Sequence, residues 1–146
     1  MTMITARERL LEAAVEAFAE KGFTATTTRD IAFRAGMSPA AVYVHHSTKE
    51  SLLFTVSVEG HQAALDVLRS ASELPGDDGQ VERLRHMVHE FSTWHAVNRR
   101  VGRIVQYEFD ALTPEHRAEI ADYRRSIERI MKDVLTAGVA DGSLAV

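Results

Sequence analysis

No cysteine occurs among the 146 residues, which excludes a disulfide scaffold and thiolate chemistry and agrees with a reducing compartment. No apolar run approaches the length that spans a bilayer, and no charged-then-apolar signal segment opens the chain. The expected location is therefore the cytoplasm, with no membrane partner. Alternating strand patterns, internal repeats and low-complexity segments are missing as well. So are a glycine-rich phosphate loop, a nucleophile elbow and an HExxH pair. The scattered carboxylates belong to solvated helix faces, and neither an enzyme activity nor a cofactor is expected. A formal net charge of −4 argues against a broad polyanion-binding surface and leaves any nucleic-acid contact to a few placed cations.

What the chain does have is apolar residues, 45% of the total, set at helical spacing. From Thr5 to Lys21, Leu10, Leu11, Ala14, Ala17 and Phe18 fall on one face, and Glu8, Glu12, Glu16 and Glu20 form a solvated stripe on the other. Ser47 and Glu50 are spaced as a capping box for a long helix carrying Leu52, Leu53, Val56, Ala63, Val67 and Leu68. The segment SASELPGDDGQ, residues 70–80, collects Pro, Gly, Asp and Ser and reads as a loop. Periodicity resumes from Val81 to Trp94 and continues through Val101, Ile104, Val105, Glu108 and Leu112. Thr113 and Pro114 make a cap and an N1 proline for a last helix through Leu135, with Gly138 and Gly142 marking its end. The expected fold class is all-α.

Residues 26–49, TTTRDIAFRAGMSPAAVYVHHSTK, spell two short helices around a tight turn. Thr27 can cap the first, with Asp30 in the capping-box position, and Gly36 supplies a left-handed residue at its end. Ser38 caps the second, and Pro39 sits where a missing N–H costs nothing. This is the pattern of a helix-turn-helix, in which one helix braces another in the major groove. On a helical wheel Val42 and His46 share one side, and Ala40, Ala41 and Val44 share the other. The second group is the groove-facing one. Small apolar side chains permit close approach and can touch thymine methyls, but they offer no hydrogen bonds to guanine. Lys49 combines its charge with a helix N-terminus as a phosphate clamp, and Thr27 offers a hydroxyl for the same purpose. Arg29 adds a cation unless it pairs with Asp30.

These residues resemble the TetR family of bacterial transcriptional regulators. The likeness runs through Phe18, Gly22, Phe23, Thr26, Thr27, Arg29, Asp30, Ile31, Ala32, Gly36, Ser38, Tyr43, Lys49 and Leu52, about the first third of the chain. The later segment YEFDALTPEHRAEI is similar to effector domains of regulators of lipid and steroid metabolism. The resemblance implies a three-helix DNA-binding head over residues 4–50, its motif over 27–46, joined by a long helix to a ligand-binding and dimerisation domain over 51–146. Family members usually continue for two more helices, which pair across a homodimer, whereas this sequence stops at Val146. The implied partners are a double-stranded operator, a small amphipathic effector of acyl-CoA type and a second copy of the chain.

Tyr43 and His45 match family positions that contact phosphate or base edges. The expected DNA-contacting set is Thr27, Arg29, Ser38, Ala40, Ala41, Tyr43, Val44, His45 and Lys49. For the effector, Met87, Phe91, Trp94 and Val105 are candidate walls, with His95 and Tyr107 as polar contacts. His86, His89 and Glu90 share a helix face but lack a closing ligand set, so no metal site is expected. Arg99, Arg100 and Arg103 form a small basic cluster that can hold an anionic ligand head group, pair with Glu108 or Asp110, or stay solvated. His46 stands where the family usually places Phe, in a half-buried position that requires a hydrogen-bond partner or water. The alternative function is a helical interaction module that has lost operator binding.

Overall fold

The computed structural model describes residues 4–73 and 79–145, which form seven α-helices and one short 3₁₀ turn. The helices are α1 (Ala6–Ala25), α2 (Thr28–Arg34), α3 (Pro39–His45), α4 (Lys49–Ser72), α5 (Gly79–Val97), α6 (Arg99–Tyr107) and α7 (Pro114–Ala140), and the 3₁₀ turn is Phe109–Ala111. No strand occurs among the described residues, so the all-α expectation holds. Nor is any of these helices long and apolar enough to cross a membrane.

Helix α1 opens on a reciprocal box. Thr5 Oγ1 accepts the Glu8 N–H at 3.1 Å, and a Glu8 carboxylate oxygen accepts the Thr5 N–H at 2.6 Å. The backbone bond from Thr5 holds the Glu8 carboxyl below its ordinary range. Leu10, Leu11, Ala14, Ala17 and Phe18 are buried, and the glutamate stripe is exposed, as its four-residue spacing implies. At Gly22 the backbone turns to φ 77° and ψ 165°, breaking the helix before one last turn. The buried Thr26 hydroxyl bridges this bend, lying 2.7 Å from the Gly22 carbonyl oxygen and 3.1 Å from that of Ala17.

Three boundaries differ from the sequence reading. The box at the start of α4 is formed by Thr48 and Ser51, with Ser51 N–H to Thr48 Oγ1 at 3.0 Å and Thr48 N–H to Ser51 Oγ at 3.4 Å. Ser47 and Glu50 do not form it, because the Glu50 carboxylate is drawn to Thr113 and His116. Residues 70–80 are not one loop: α4 runs on to Ser72 and α5 starts at Gly79, while 74–78 lie outside the described residues. Finally, Gly138 is a buried interior residue of α7, which continues to Ala140. A Cβ there would meet the Leu144 side chain at 2.5 Å, so the glycine permits close approach of the returning chain. Gly142, at φ 77°, is the residue that turns the chain out of the helix.

The chain divides into two compact units, residues 1–60 with 99–118 and residues 61–98 with 119–146. The first buries Leu10, Phe18, Ile31, Val42, Leu52, Leu53, Ile104 and Leu112. In the second, Leu68, Ala71, Met87 and Val134 form a core lined by Leu84, Phe91, Ile127, Ile130 and Met131. A boundary at residue 50 falls inside α4, whose first turns pack with one unit and whose later turns belong to the other.

Candidate nucleic-acid interface

Helices α2 and α3 are short and rely on their ends. Thr27 caps α2, its Oγ1 accepting the Asp30 N–H at 3.1 Å while Asp30 accepts the Thr27 N–H at 3.0 Å. That backbone bond, the Thr27 hydroxyl and nearby Lys21 hold the Asp30 carboxyl below its usual range. Gly36, at φ 66°, ends α2, and a Cβ there would meet nothing within 4 Å. Its left-handed backbone is what calls for glycine. Ser38 then caps α3, its Oγ accepting the Ala41 N–H at 3.2 Å, with Pro39 as the first helical residue.

The faces separate as the wheel predicts. Val42 has no exposed surface, and Ile31, Ala32 and Ala35 bury the inner side of α2. Outward, Tyr43 and Val44 are 57% and 82% exposed, Ala40 and His45 are exposed, and Ala41 is half-buried. Arg29 is exposed, and Asp30 does not take it up, being engaged with Thr27 and with Lys21 at 3.6 Å. Thr27 and Ser38 each use a side-chain oxygen as an acceptor in capping, which leaves the hydroxyl proton to donate outward.

Lys49 is held within the chain. Its Nζ turns inward and donates to the carbonyls of Phe23 at 2.6 Å and Thr24 at 3.4 Å, and it stands 4.2 Å from the centre of the Phe23 ring. A cation is disfavoured at the start of its own helix, and the carbonyls ending α1, that of Phe23 already accepting the Thr26 N–H at 3.2 Å, offer it a better place. In this structure Lys49 braces the end of α1. Arg34 is likewise held by Glu20. The sequence reading also missed Phe33, which is 86% exposed on α2, one turn beyond Arg29. Its place off the core stripe was the available signal.

His46, half-buried after α3, lies with Nδ1 3.4 Å from Ser51 Oγ. Burial, then the charges of Arg7 and His45, push its pKa below the ordinary histidine value. The folded state therefore favours neutral imidazole, and the unfolded state binds the extra proton. This stabilisation is complete above the unfolded pKa, about 6.5, and is lost as pH falls through the folded value. We expect His46→Phe to raise the melting temperature. Ser51 keeps its bond to the Thr48 carbonyl at 2.8 Å, so no partner is stranded. The gain should grow between pH 7.5 and pH 5.5, as measured by thermal unfolding of both proteins across that range. A constant or negative difference would place His46 outside the packed layer.

The expected effector residues fall in both units. Met87 is fully buried in the second core, with Phe91 packed beside it. His95 is exposed, its Nδ1 2.9 Å from the Phe91 carbonyl and its ring 4.3 Å from Phe91 and 4.9 Å from Trp94. Val105 and Tyr107 lie on α6 in the first unit, Tyr107 exposed, with the Arg103 guanidinium 5.9 Å from its ring centre. Glu108, an expected partner of the arginines, instead accepts the Phe23 N–H at 3.1 Å. Likewise Glu50 accepts the Thr113 N–H at 3.0 Å and meets His116 Nδ1 at 2.7 Å, with the His116 ring stacked 3.6 Å from that of Phe54. These long-range carboxylate bonds had no signal in the sequence. His89 Nδ1 lies 3.0 Å from the Glu90 carboxylate.

Residues 10–56 match the domain described as bacterial regulatory proteins, tetR family, and residues 77–146 match the tetracyclin repressor-like C-terminal domain. The HTH-type transcriptional repressor KstR2 of Mycolicibacterium smegmatis is 32% identical over 142 residues, covering 94% of this chain and 66% of that protein. The chain thus spans about two thirds of the length of this curated relative. A solved regulatory protein of the tetR family from Rhodococcus RHA1 is 46% identical, with a TM-score of 0.89 over 96% of this chain and 73% of that one. AibR, solved with isovaleryl coenzyme A and operator DNA, shares the fold at a TM-score of 0.83 and 24% identity, over 97% of this chain and 76% of that one.

Proposed function

The chain belongs to the TetR family of bacterial regulators, and on that premise we propose that it is a DNA-binding transcriptional repressor released from its operator by a small amphipathic effector. The observation that carries the reading is the division of α3. Its inner residue Val42 is sealed in the core while Tyr43 and Val44 stand out in solvent. Adjacent exposed side chains of that size on a capped, anchored helix give it a surface that can meet a partner. In a helix-turn-helix framework, the partner this supports is duplex DNA.

In this reading Ala40, Ala41, Tyr43, Val44 and His45 face base edges, while Arg29, Thr27 and Ser38 reach phosphates. A homodimer presents two such heads about 34 Å apart, one turn of DNA. An effector that binds the wrongly spaced state more tightly releases the operator, by no more than its differential affinity. An acyl-CoA-like effector is supported by the similar fold of AibR, solved with isovaleryl coenzyme A. Met87, Phe91, Trp94, His95, Val105 and Tyr107 remain its proposed contacts.

The test is binding of the purified chain to DNA flanking its own gene, with excess random competitor and at several salt concentrations, alongside its mass in solution. Sequence-dependent, salt-sensitive binding by a dimer is expected. One observation favours the alternative of an interaction module: Lys49, Arg34 and Lys21 all have protein partners near the reading face. That reading predicts no preference over random DNA at any salt.

Because the groove-facing residues of α3 include no lysine, arginine or carboxylate, thymine methyls are the groups its apolar surface can recognise. Replacing a contacted thymine by deoxyuridine deletes the methyl and keeps every hydrogen-bonding edge. We expect each such replacement to weaken binding about fourfold, the equivalent of one buried methyl group. Uniform tolerance of deoxyuridine would mean that Val44 does not approach the bases.

A further inference from the structure

Phe23 is held at both of its main-chain polar groups by charged side chains from elsewhere in the chain. Glu108, between α6 and the 3₁₀ turn, accepts its N–H at 3.1 Å, and Lys49, at the start of α4, donates to its carbonyl at 2.6 Å. Hydrogen bonds to ionised groups are the strong ones, and these are part-buried. Phe23 follows the Gly22 bend and precedes the Thr27 cap, so its two peptides set the direction in which the chain enters the helix-turn-helix. Glu50, beside Lys49, ties the start of α4 to Thr113 and His116. The stretch 108–116 therefore grips the frame of the helix-turn-helix at two points.

We propose that Glu108 is a positioning residue for the reading helix, fixing α2 and α3 through the Phe23 peptide. The inference rests on the DNA-binding reading above. Base-edge and methyl contacts demand closer placement than phosphate contacts, which carry no sequence information. Loosening the Phe23 clamp therefore lowers specific affinity and spares non-specific affinity.

Three variants of the full chain separate the possibilities. Glu108→Gln keeps an acceptor at the same reach and removes a negative charge, so it should bind the preferred duplex at least as well as the native chain. Glu108→Asp keeps the charge but falls one methylene short, and Glu108→Leu keeps the bulk without an acceptor. Both should lose about tenfold in specific affinity, the scale of a lost charge-assisted bond, with binding to random duplex changed by less than about twofold. Amide exchange at Phe23 should accelerate in the same two variants. If Glu108→Leu does not fold, Glu108→Asp carries the test. Native specific affinity in Glu108→Asp, or equal losses on specific and random DNA, overturns the proposal. Should the native chain bind no DNA specifically, the regulator reading fails on its own account. Unchanged Phe23 exchange in Glu108→Asp and Glu108→Leu would then overturn the clamp separately.

Discussion

Ile31→Ala is expected to cost about 2–5 kcal/mol and to unfold the helix-turn-helix ahead of the rest of the chain. Ile31 has no exposed surface and sits on the inner face of a seven-residue helix. So short a helix has little stability of its own and depends on tertiary packing. The second unit keeps a separate core around Met87 and Leu68, and the single tryptophan, Trp94, lies within that unit. Far-ultraviolet dichroism follows all helices, whereas Trp94 fluorescence follows one unit. In the variant the dichroism transition should begin at lower temperature than the fluorescence transition. Coincident transitions displaced together would mean that both units unfold as one cooperative block.

Gly22→Ala is the second large effect. A residue at φ 77° and ψ 165° occupies a region essentially closed to side chains, at a cost of about 1–3 kcal/mol. The loss extends beyond strain, because relaxing the bend moves the Thr26 hydroxyl away from the Gly22 carbonyl and the Phe23 N–H away from Glu108. Gly36→Asn is the comparison: its φ of 66° is one that asparagine tolerates, and the space around a Cβ there is open. Urea midpoints should fall clearly for Gly22→Ala and little for Gly36→Asn. Equal small shifts would show that the α1 bend relaxes freely.

Local rules made much of the fold legible. Thr27 with Asp30, Ser38 with Pro39, Thr113 with Pro114, and the apolar stripe from Leu10 to Phe18 each encode an element within a few residues. Errors arose where a distant group outbid a local one. Glu50 is spaced for a capping box with Ser47, yet Thr113 and His116 claim its carboxylate. Gly138 looks like a terminator, but the close return of Leu144 explains it. Periodicity placed Met87 and Trp94 on helices but could not say that Met87 would be sealed within a core.

The plain surface of α3 bears on how such a regulator diverges. Ala40 is exposed and short, and the helix is anchored from its opposite side by Val42 and by the Ser38 cap. A duplicated gene could exchange that alanine for arginine, asparagine or glutamine and acquire a new base preference in one step, with no loss to the framework beneath. New operators would then be reached by single substitutions that stay close to neutral for folding, which is how a lineage of paralogous repressors could spread across a genome without passing through misfolded intermediates.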